Sequence, residues 1–234
     1  VSNAESRPIL TGIHMVIANN QLKAVATDSH RLSQRIIPLE MPETSNALTF
    51  EITLPGKTLI ELSRIIDGLE TIDFAITENQ VLFQTETLSF YSRLLEGRYP
   101  DTDRLINDQF NTAITVVASD LVAAVDRASL MSHTDKNNIA TLSINENRIL
   151  LTGNSPEIGK VEEEITVENY EGASLDVSFN PDYLKDALRL FGSSEATIQF
   201  LEANRPFTLT LKDNHSDIPY SFIQLVTPVR TFNG

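Results

Sequence analysis

The sequence lacks several residue types and patterns that define common protein classes. It has no cysteine, which excludes disulfides and thiol chemistry. Its four histidines, His14, His30, His133 and His215, never approach metal-ligand spacing, so neither a metal nor another cofactor is expected. No apolar run approaches the roughly 20 residues that cross a bilayer, so no membrane partner is expected. These absences favour a cytoplasmic protein.

Basic residues are also scarce, with 18 lysines and arginines against 32 acidic residues and a net charge of −14. This balance argues against a general binder of nucleic acids or anionic membranes, unless the basic groups are segregated on one surface. Apolar residues, in contrast, make up 41% of the 234 residues, which is ample for one or two packed domains.

Alternating apolar residues predict antiparallel strands. Residues 13–17 and 22–26 flank Asn19-Asn20, which is typical of a β-hairpin, and a second hairpin is expected around Glu146-Asn147. Further strands are expected over residues 36–39, 50–54, 72–76, 81–85 and 88–95.

Three helices are predicted, over residues 56–67, 119–131 and 181–191. Ser119 or Asp120 should cap the second helix, and glycines should end the first and the third. Each helix has an apolar stripe; on the first, Lys57 and Arg64 lie on the face opposite that stripe. The buried side of this helix is therefore apolar and its other side basic.

The two halves of the chain repeat one design. Arg64 and Arg189 are 125 residues apart, and Ile17 and Ile144 are 127 apart. This register predicts two α+β domains, over residues 1–109 and 110–234, with mostly antiparallel strands and helices on one face. The counterpart of the helix at 119–131 would fall before or at Val1. We therefore expect a piece of a longer chain, in which the first domain lacks its opening strand and helix.

A dense run of polar side chains follows the strand at residues 22–26. Asp28, Ser29 and His30 could suggest a hydrolase triad, but neighbours on an extended chain point in alternating directions, whereas triad members converge from separate segments. We therefore expect no enzyme, and we expect Asp28 to bond the local turn.

Three segments resemble one family together: Ala-Thr-Asp-Ser-His-Arg-Leu at 26–32, Leu-Glu-Gly-Arg-Tyr-Pro-Asp at 95–101 and Leu-Val-Thr-Pro-Val-Arg at 225–230. The chain resembles the bacterial sliding clamp, the beta subunit of DNA polymerase III, over essentially its whole length. The resemblance covers the second and third of that family's three domains. It implies two tandem DNA-clamp domains, the middle and the C-terminal one, with antiparallel sheets outside and helices on the inner face.

The resemblance further implies a processivity factor, a ring-shaped homodimer around duplex DNA. Basic residues of the inner helices would contact phosphates without reading sequence, so that a strongly acidic protein still lines its channel with positive charge. The implied DNA-facing residues are Arg7, Lys57, Arg64, Arg127, Lys185 and Arg189.

The family also implies a groove between these two domains, in which the replicative polymerase, the clamp loader and repair proteins insert short linear motifs. By match, the partner-peptide-binding residues are Leu10, Thr27, His30, Arg31, Leu32, Pro100, Arg104, Leu105, Asn180, Tyr183, Leu225, Thr227, Pro228, Val229 and Arg230. Apolar members would take leucine and phenylalanine anchors, while His30, Asn180 and Arg230 would satisfy peptide polar groups. Ser29 and Thr227 stand where other members carry glycine and methionine, and the chain continues past the groove through Phe232.

The competing interpretation is a tandem β-rich module that binds peptides or glycans outside any DNA context. Taken singly, His30 is more often a structural histidine, and exposed basic residues are usually ordinary solvated helix faces.

Overall fold

The computed structural model describes residues 1–4, 6–40, 49–106, 109–132, 138–146, 148–155, 159–212 and 221–230. The chain divides into two compact units between Asp101 and Thr102, whereas the sequence placed the division after residue 109. The division lies earlier because the linking segment already belongs to the second unit. There Leu105 and Gln109 line a cavity together with Gln199 and Thr208, which lie in strands of the second unit.

The first unit contains seven strands and one α-helix among its described residues. These are β1 Gly12–Ala18, β2 Gln21–Thr27, β3 Arg31–Pro38, β4 Phe50–Pro55, α1 Gly56–Ile65, β5 Asp73–Ile76, β6 Gln80–Gln84 and β7 Ser89–Arg93. Antiparallel pairing gives one sheet in the order β4-β1-β2-β3 and another in the order β5-β6-β7.

Local sequence explains the first sheet and its core. Asn19 and Asn20 have φ angles of 52° and 57°, the left-handed conformation that a two-residue hairpin turn requires and that asparagine tolerates. Ile52, Leu54 and Val81 form one buried cluster, and Leu59 of α1 packs against it. Leu62 is buried and Lys57 and Arg64 are exposed, so the predicted stripe of this helix is confirmed.

The second unit contains nine strands and two α-helices among its described residues. These are β8 Thr112–Val117, α2 Ala118–Ser132, β9 Ala140–Asn145, β10 Arg148–Ser155, β11 Gly159–Glu164, β12 Asn169–Gly172, β13 Leu175–Phe179, α3 Pro181–Arg189, β14 Glu195–Phe200, β15 Phe207–Leu211 and β16 Ser221–Val226. One sheet has the order β11-β10-β9-β13 and the other runs β12-β8-β14-β15-β16. Helices α2 and α3 pack against each other.

The α+β fold class and the internal repeat are confirmed. Ile17 pairs with Leu22 across the first hairpin, and Ile144 pairs with Ile149 across the second, so both partners recur after 127 residues. Strand β5 corresponds to β14, but β14 pairs with β8 on one side, whereas no described strand lies beside that edge of β5. The described part of the first unit thus has no counterpart of β8 and α2.

The expected cap of α2 is wrong. The helix begins at Ala118, so Ser119 and Asp120 lie inside its first turn. The backbone N–H of Ala118 donates to the carbonyl oxygen of Ser194 at 3.0 Å, so the neighbouring strand region supplies a partner that a side-chain cap would otherwise provide. Helices α1 and α3 also end two residues earlier than predicted, before Gly68 and Gly192, which have positive φ angles of 80° and 60°.

Candidate functional site

The turn between β2 and β3 is held by Asp28. Its Oδ1 accepts the backbone N–H groups of His30 and Arg31 at 3.0 and 3.1 Å, and its Oδ2 accepts Nε of Arg31 at 2.9 Å. Burial alone would raise the pKa of Asp28, but the bonds from Arg31 and the His30 amide lower it below its usual value. The carboxylate is therefore an ionised structural group, and its expected role in the turn is confirmed.

Thr27 and Ser29 complete this turn. The Thr27 hydroxyl donates to the carbonyl oxygen of Arg31 at 2.7 Å and accepts the backbone N–H of Ser29 at 3.1 Å. Ser29 has a φ of 80°, a conformation that favours glycine. Both carboxylate oxygens of Asp28 accept bonds from backbone amides and a guanidinium, and neither bonds the imidazole of a described residue. The turn therefore does not have the geometry of a catalytic triad.

Tyr99 holds the turn through a hydrogen bond, a role that the sequence did not predict. Its hydroxyl accepts the backbone N–H of Thr27 at 3.1 Å, and its ring stacks on His14 with centroids 4.7 Å apart. Burial raises the pKa of Tyr99 to about 12, so the hydroxyl stays protonated. The residue lies in the 95–101 segment that carries the family resemblance, which was the available signal, but only its neighbour Pro100 was selected.

The other predicted groove residues of the first unit differ in exposure. His30 and Pro100 are exposed, and Arg31 is half-buried. Leu10 and Leu32 are only 3% and 2% exposed. Their side chains therefore belong to the core of the described structure and offer little surface. Their role as peptide-anchor residues stays a prediction.

In the second unit, the segment after β16 is bonded to β13, next to the start of α3. The backbone N–H of Val229 donates to the carbonyl oxygen of Ser178 at 2.7 Å, and Asn180, two residues further on, caps α3 by accepting the N–H of Asp182 at 2.9 Å. Thr227, Pro228 and Val229 are half-buried and Arg230 is exposed, while Leu225 is buried. Tyr183 is half-buried on the first turn of α3. Residues 231–234 lie outside the described residues.

A cavity of about 260 Å³ in the second unit includes Arg104 and Leu105. We call it the Leu105 pocket; its remaining lining residues are Gln109, Gln199, Leu201, Arg205, Pro206 and Thr208. None of these six was predicted, because all but Gln109 come from β14, β15 and their connection, and only the fold brings them to the 3-10 turn at Asp103–Leu105. Leu105 is 48% exposed, so it offers the apolar surface that Leu10 and Leu32 lack.

The predicted basic residues divide into two groups. Arg7 and Lys57 are exposed and form no ion pair with any described residue. Arg64 and Arg189 are exposed and pair with Glu61 and Asp186 on their own helices. Arg127 is exposed and forms two bonds to the Glu163 carboxylate. Such exposed pairs are weak and leave the cations accessible.

Lys185 is the exception, and its expected exposure is wrong. Its side chain is only 10% exposed, and its ammonium lies 3.1 Å from Asp126 of α2 and 3.0 Å from Asp182 of α3. Burial alone would lower the pKa of Lys185, but the hydrogen bonds that its ammonium donates to the two carboxylates raise it above its usual value. The ammonium is therefore charged, and the two carboxylates compensate its charge. It is buried because α2 covers the face of α3 that the helix pattern assigned to solvent.

Family models match nearly the whole chain. The model of the central domain of the DNA polymerase III beta subunit matches residues 1–101, and the model of its C-terminal domain matches residues 103–224. The chain belongs to the DNA polymerase III beta subunit family. The two matches meet where the contacts divide the chain.

Proteins named beta sliding clamp are similar to the chain. The one from Streptococcus pneumoniae is 46% identical over 232 residues, which are 98% of this chain and 59% of that protein. The one from Bacillus subtilis is 42% identical over 234 residues, 99% of this chain and 60% of that protein. The chain thus spans about 60% of the length of these relatives.

Solved structures of DNA polymerase III beta subunits superpose on the chain. The DNA polymerase III beta chain of S. pneumoniae superposes with a TM-score of 0.92 at 46% identity, covering 99% of this chain and 60% of that one. The DNA polymerase sliding clamp of B. subtilis gives a TM-score of 0.89 at 41% identity, with the same coverage. The tandem clamp-domain fold predicted for this family member is confirmed.

Among the described residues, no cluster of three or more histidine, aspartate or glutamate side chains has a geometry that could hold a metal ion. No helix in the described ranges is long and apolar enough to cross a membrane.

Proposed function

We propose that this chain supplies two domains of a DNA sliding clamp, a non-enzymatic processivity factor that encircles duplex DNA in the cytoplasm. The observation that carries the proposal is the match of its two units, in chain order, to the central and C-terminal domains of one family. Because the chain spans about 60% of the length of its relatives, ring closure as a homodimer is proposed for the whole protein.

DNA would be held loosely, by a few phosphate contacts. We assign these contacts to Arg7, Lys57, Arg64, Arg127 and Arg189, whose side chains are exposed, and leave out Lys185, which two carboxylates compensate. Helix α1 carries two basic residues and one acidic residue, and α3 carries two of each, so neither helix is strongly positive. Because these cations are few and are partly neutralised by nearby carboxylates, their contact with DNA would be weak and independent of sequence. The ring could then move along the DNA.

Partners such as the replicative polymerase, the clamp loader and repair proteins would insert short motifs at a groove. We assign one wall to the turn at Thr27–Arg31 and the other to Thr227–Arg230 with Asn180 and Tyr183. The juxtaposition of these segments stays a prediction. Within the second unit, the Leu105 pocket supports an anchor site, since it combines apolar Leu105, Leu201 and Pro206 with two arginines. Two or three buried anchors, less the cost of ordering a flexible peptide, give affinities on the order of micromolar.

The first unit would be completed in the whole protein by a strand and a helix equivalent to β8 and α2. The open edge of β5 and the exposed Ile60 of α1 support this proposal, because β14 pairs with β8 in the second unit and Lys185, which corresponds to Ile60, is buried beside α2. Exposed edges and apolar side chains of this kind are usually covered.

The DNA proposal is tested by loading the full-length protein onto nicked circular DNA with its clamp loader. We expect retention on the circle and rapid release after linearisation. Blocking both ends of the linear DNA should restore retention. Retention on linear DNA with free ends would contradict encirclement and favour a module that binds DNA or another ligand directly.

The groove proposal is tested by titrating a peptide that ends in leucine and phenylalanine into the Pro228→Ala, Arg230→Ala double variant. We expect at least a tenfold loss of affinity, because an anchor contact and a charged hydrogen-bond donor are removed together. Arg93→Ala, an exposed arginine of β7, is the matched control and should bind normally. Unchanged affinity in the double variant would mean that the groove is misplaced.

A further inference from the structure

A second cavity, of about 560 Å³, lies within the first unit and uses none of the predicted groove residues. We call it the His14 pocket. The segment after β7 builds its wall: the backbone N–H of Leu95 donates to the carbonyl oxygen of Thr53 on β4 at 2.8 Å, and Tyr99 then stacks on His14 of β1. The volume is within the range of ligand sites in proteins.

Three glutamates line this pocket, and they come from separate segments. Glu51 lies on β4, Glu78 in the turn before β6, and Glu96 after β7. Glu78 and Glu96 are exposed and form no ion pair with any described residue. Their negative charges, on two different loops around one concave site, would attract a cation.

His14 does not supply that cation at neutral pH. Its Nδ1 lies 3.1 Å from the Thr53 hydroxyl, and its Nε2 lies 3.6 Å from a carboxylate oxygen of Glu51. Burial lowers the pKa of His14 below its usual value, although Glu51 acts in the opposite direction, and Lys23 lowers it further. The imidazole is therefore neutral at pH 7, and its stack with Tyr99 forms one wall of the pocket.

The remaining lining suits a long, planar cation. Ile52, Leu94 and Leu95 are apolar and Asn79 carries an amide that can accept a hydrogen bond. An arginine side chain has an apolar stem and a fork of five donors that bonds several oxygens at once, whereas the ammonium of lysine is a compact point charge.

We propose that the His14 pocket binds the arginine side chain of a partner protein. Its guanidinium bonds Glu78 and Glu96, and its stem lies on the apolar lining. The choice of a partner protein rests on the proposed function: Tyr99 forms a wall of this pocket and also holds the Thr27 turn, so a partner seated on that turn lies beside the pocket.

The test is a titration of capped Gly-Arg-Gly tripeptide into the isotope-labelled chain, followed by the ring signals of His14 and Tyr99. We expect saturable shifts, and affinity about tenfold weaker in the Glu78→Gln, Glu96→Gln double variant because charged hydrogen bonds are lost. Both glutamates are exposed, so this variant should fold normally. Glu86→Gln, an exposed carboxylate outside the pocket, is the matched control and should bind as the wild type does.

The neutral citrulline tripeptide has nearly the same shape and should not bind. Absence of saturable shifts, equal binding of citrulline, or unchanged affinity in the double variant would overturn the proposal. Free guanidinium ions binding as tightly as the tripeptide would also overturn it, by assigning the pocket to small cations. No DNA or groove peptide takes part, so a failure here is distinct from a failure of the proposed clamp function.

Discussion

Helices α1 and α3 follow equivalent strands of the two units, but their surroundings differ. Helix α2 lies alongside α3, and Leu184, Lys185 and Leu188 of α3 are all buried. In α1 only Gly56 and Leu62 are buried. With the offset of 125 that relates Leu59 to Leu184, Lys185 corresponds to Ile60, which is 53% exposed.

The polarity of this position is thus the reverse of what helix periodicity alone suggests. A lysine is buried in one unit and an isoleucine is exposed in the other. The neighbouring helix explains the first case, because Asp126 of α2 supplies a carboxylate that pairs with the buried ammonium. In the first unit no described helix covers the equivalent face. Whether a basic side chain on these helices is available to DNA therefore depends on the neighbour.

The largest expected difference between the units concerns their cores. Leu184→Ala should lower the free energy of unfolding of the second unit by about 3 kcal/mol, because a side chain only 1% exposed leaves a cavity. Leu59→Ala, at the equivalent place, should cost about 1 kcal/mol, since Leu59 is only half-buried. Urea unfolding followed by NMR signals of each unit measures both losses. Equal losses would show that α2 adds nothing to the packing of α3.

The second difference concerns the starts of the two helices. Asn180 caps α3 through its side chain, whereas Pro55 precedes α1 without a side-chain cap. Asn180→Ala should therefore lower the free energy of unfolding by about 1 kcal/mol. Asn180→Asp keeps the acceptor and is the control, which should retain most of this stability in the same urea titration. If both substitutions cost the same, the cap is not the cause.

The strands and the repeat were predictable from the sequence because alternation and turn residues are local signals. Asn19-Asn20 marks the first hairpin, and the spacing of Ile17 and Ile144 gives the register of both. Helix ends were less accurate, by two residues at α1 and α3. The start of α2 was wrong because its first amide bonds Ser194, a partner that is remote in sequence.

For the candidate site, the resemblance pointed to single residues, and their surroundings could not be predicted from the sequence. Periodicity placed Lys185 on a solvated face because it describes one helix at a time and contains no information about α2. Burial of Leu10 and Leu32, and the role of Tyr99 under Thr27, likewise arise from tertiary contacts. Most of the lining of the Leu105 pocket comes from β14, β15 and their connection, about 100 residues after Leu105 in the sequence, which no local pattern could connect.

A smaller effect is expected at acidic pH, on the stability that Asp28 contributes to the first unit. Because the pKa of Asp28 is lowered in the folded state, its contribution is present above the unfolded pKa of about 3.9 and is lost as the pH falls through the folded pKa. Asp28→Asn, which keeps an acceptor but loses the charge, should cost less than about 1 kcal/mol at pH 7, since Arg31 is partly exposed. In urea titrations repeated toward pH 3, the wild type should approach the variant. A difference independent of pH would exclude the charge as its cause.

The last difference concerns DNA and decides whether the burial of Lys185 matters for function. Lys57→Gln in the full-length protein should lower the slope of log affinity against log salt by about 0.9, because one phosphate contact is lost. Lys185→Gln should leave the slope unchanged, since its ammonium already lies between Asp126 and Asp182. DNA binding at several salt concentrations measures both slopes, and a thermal melt of each variant shows whether folding is preserved. An equal change in both slopes would mean that Lys185 leaves its carboxylates to reach a phosphate, and the two helices would then present their cations to DNA alike.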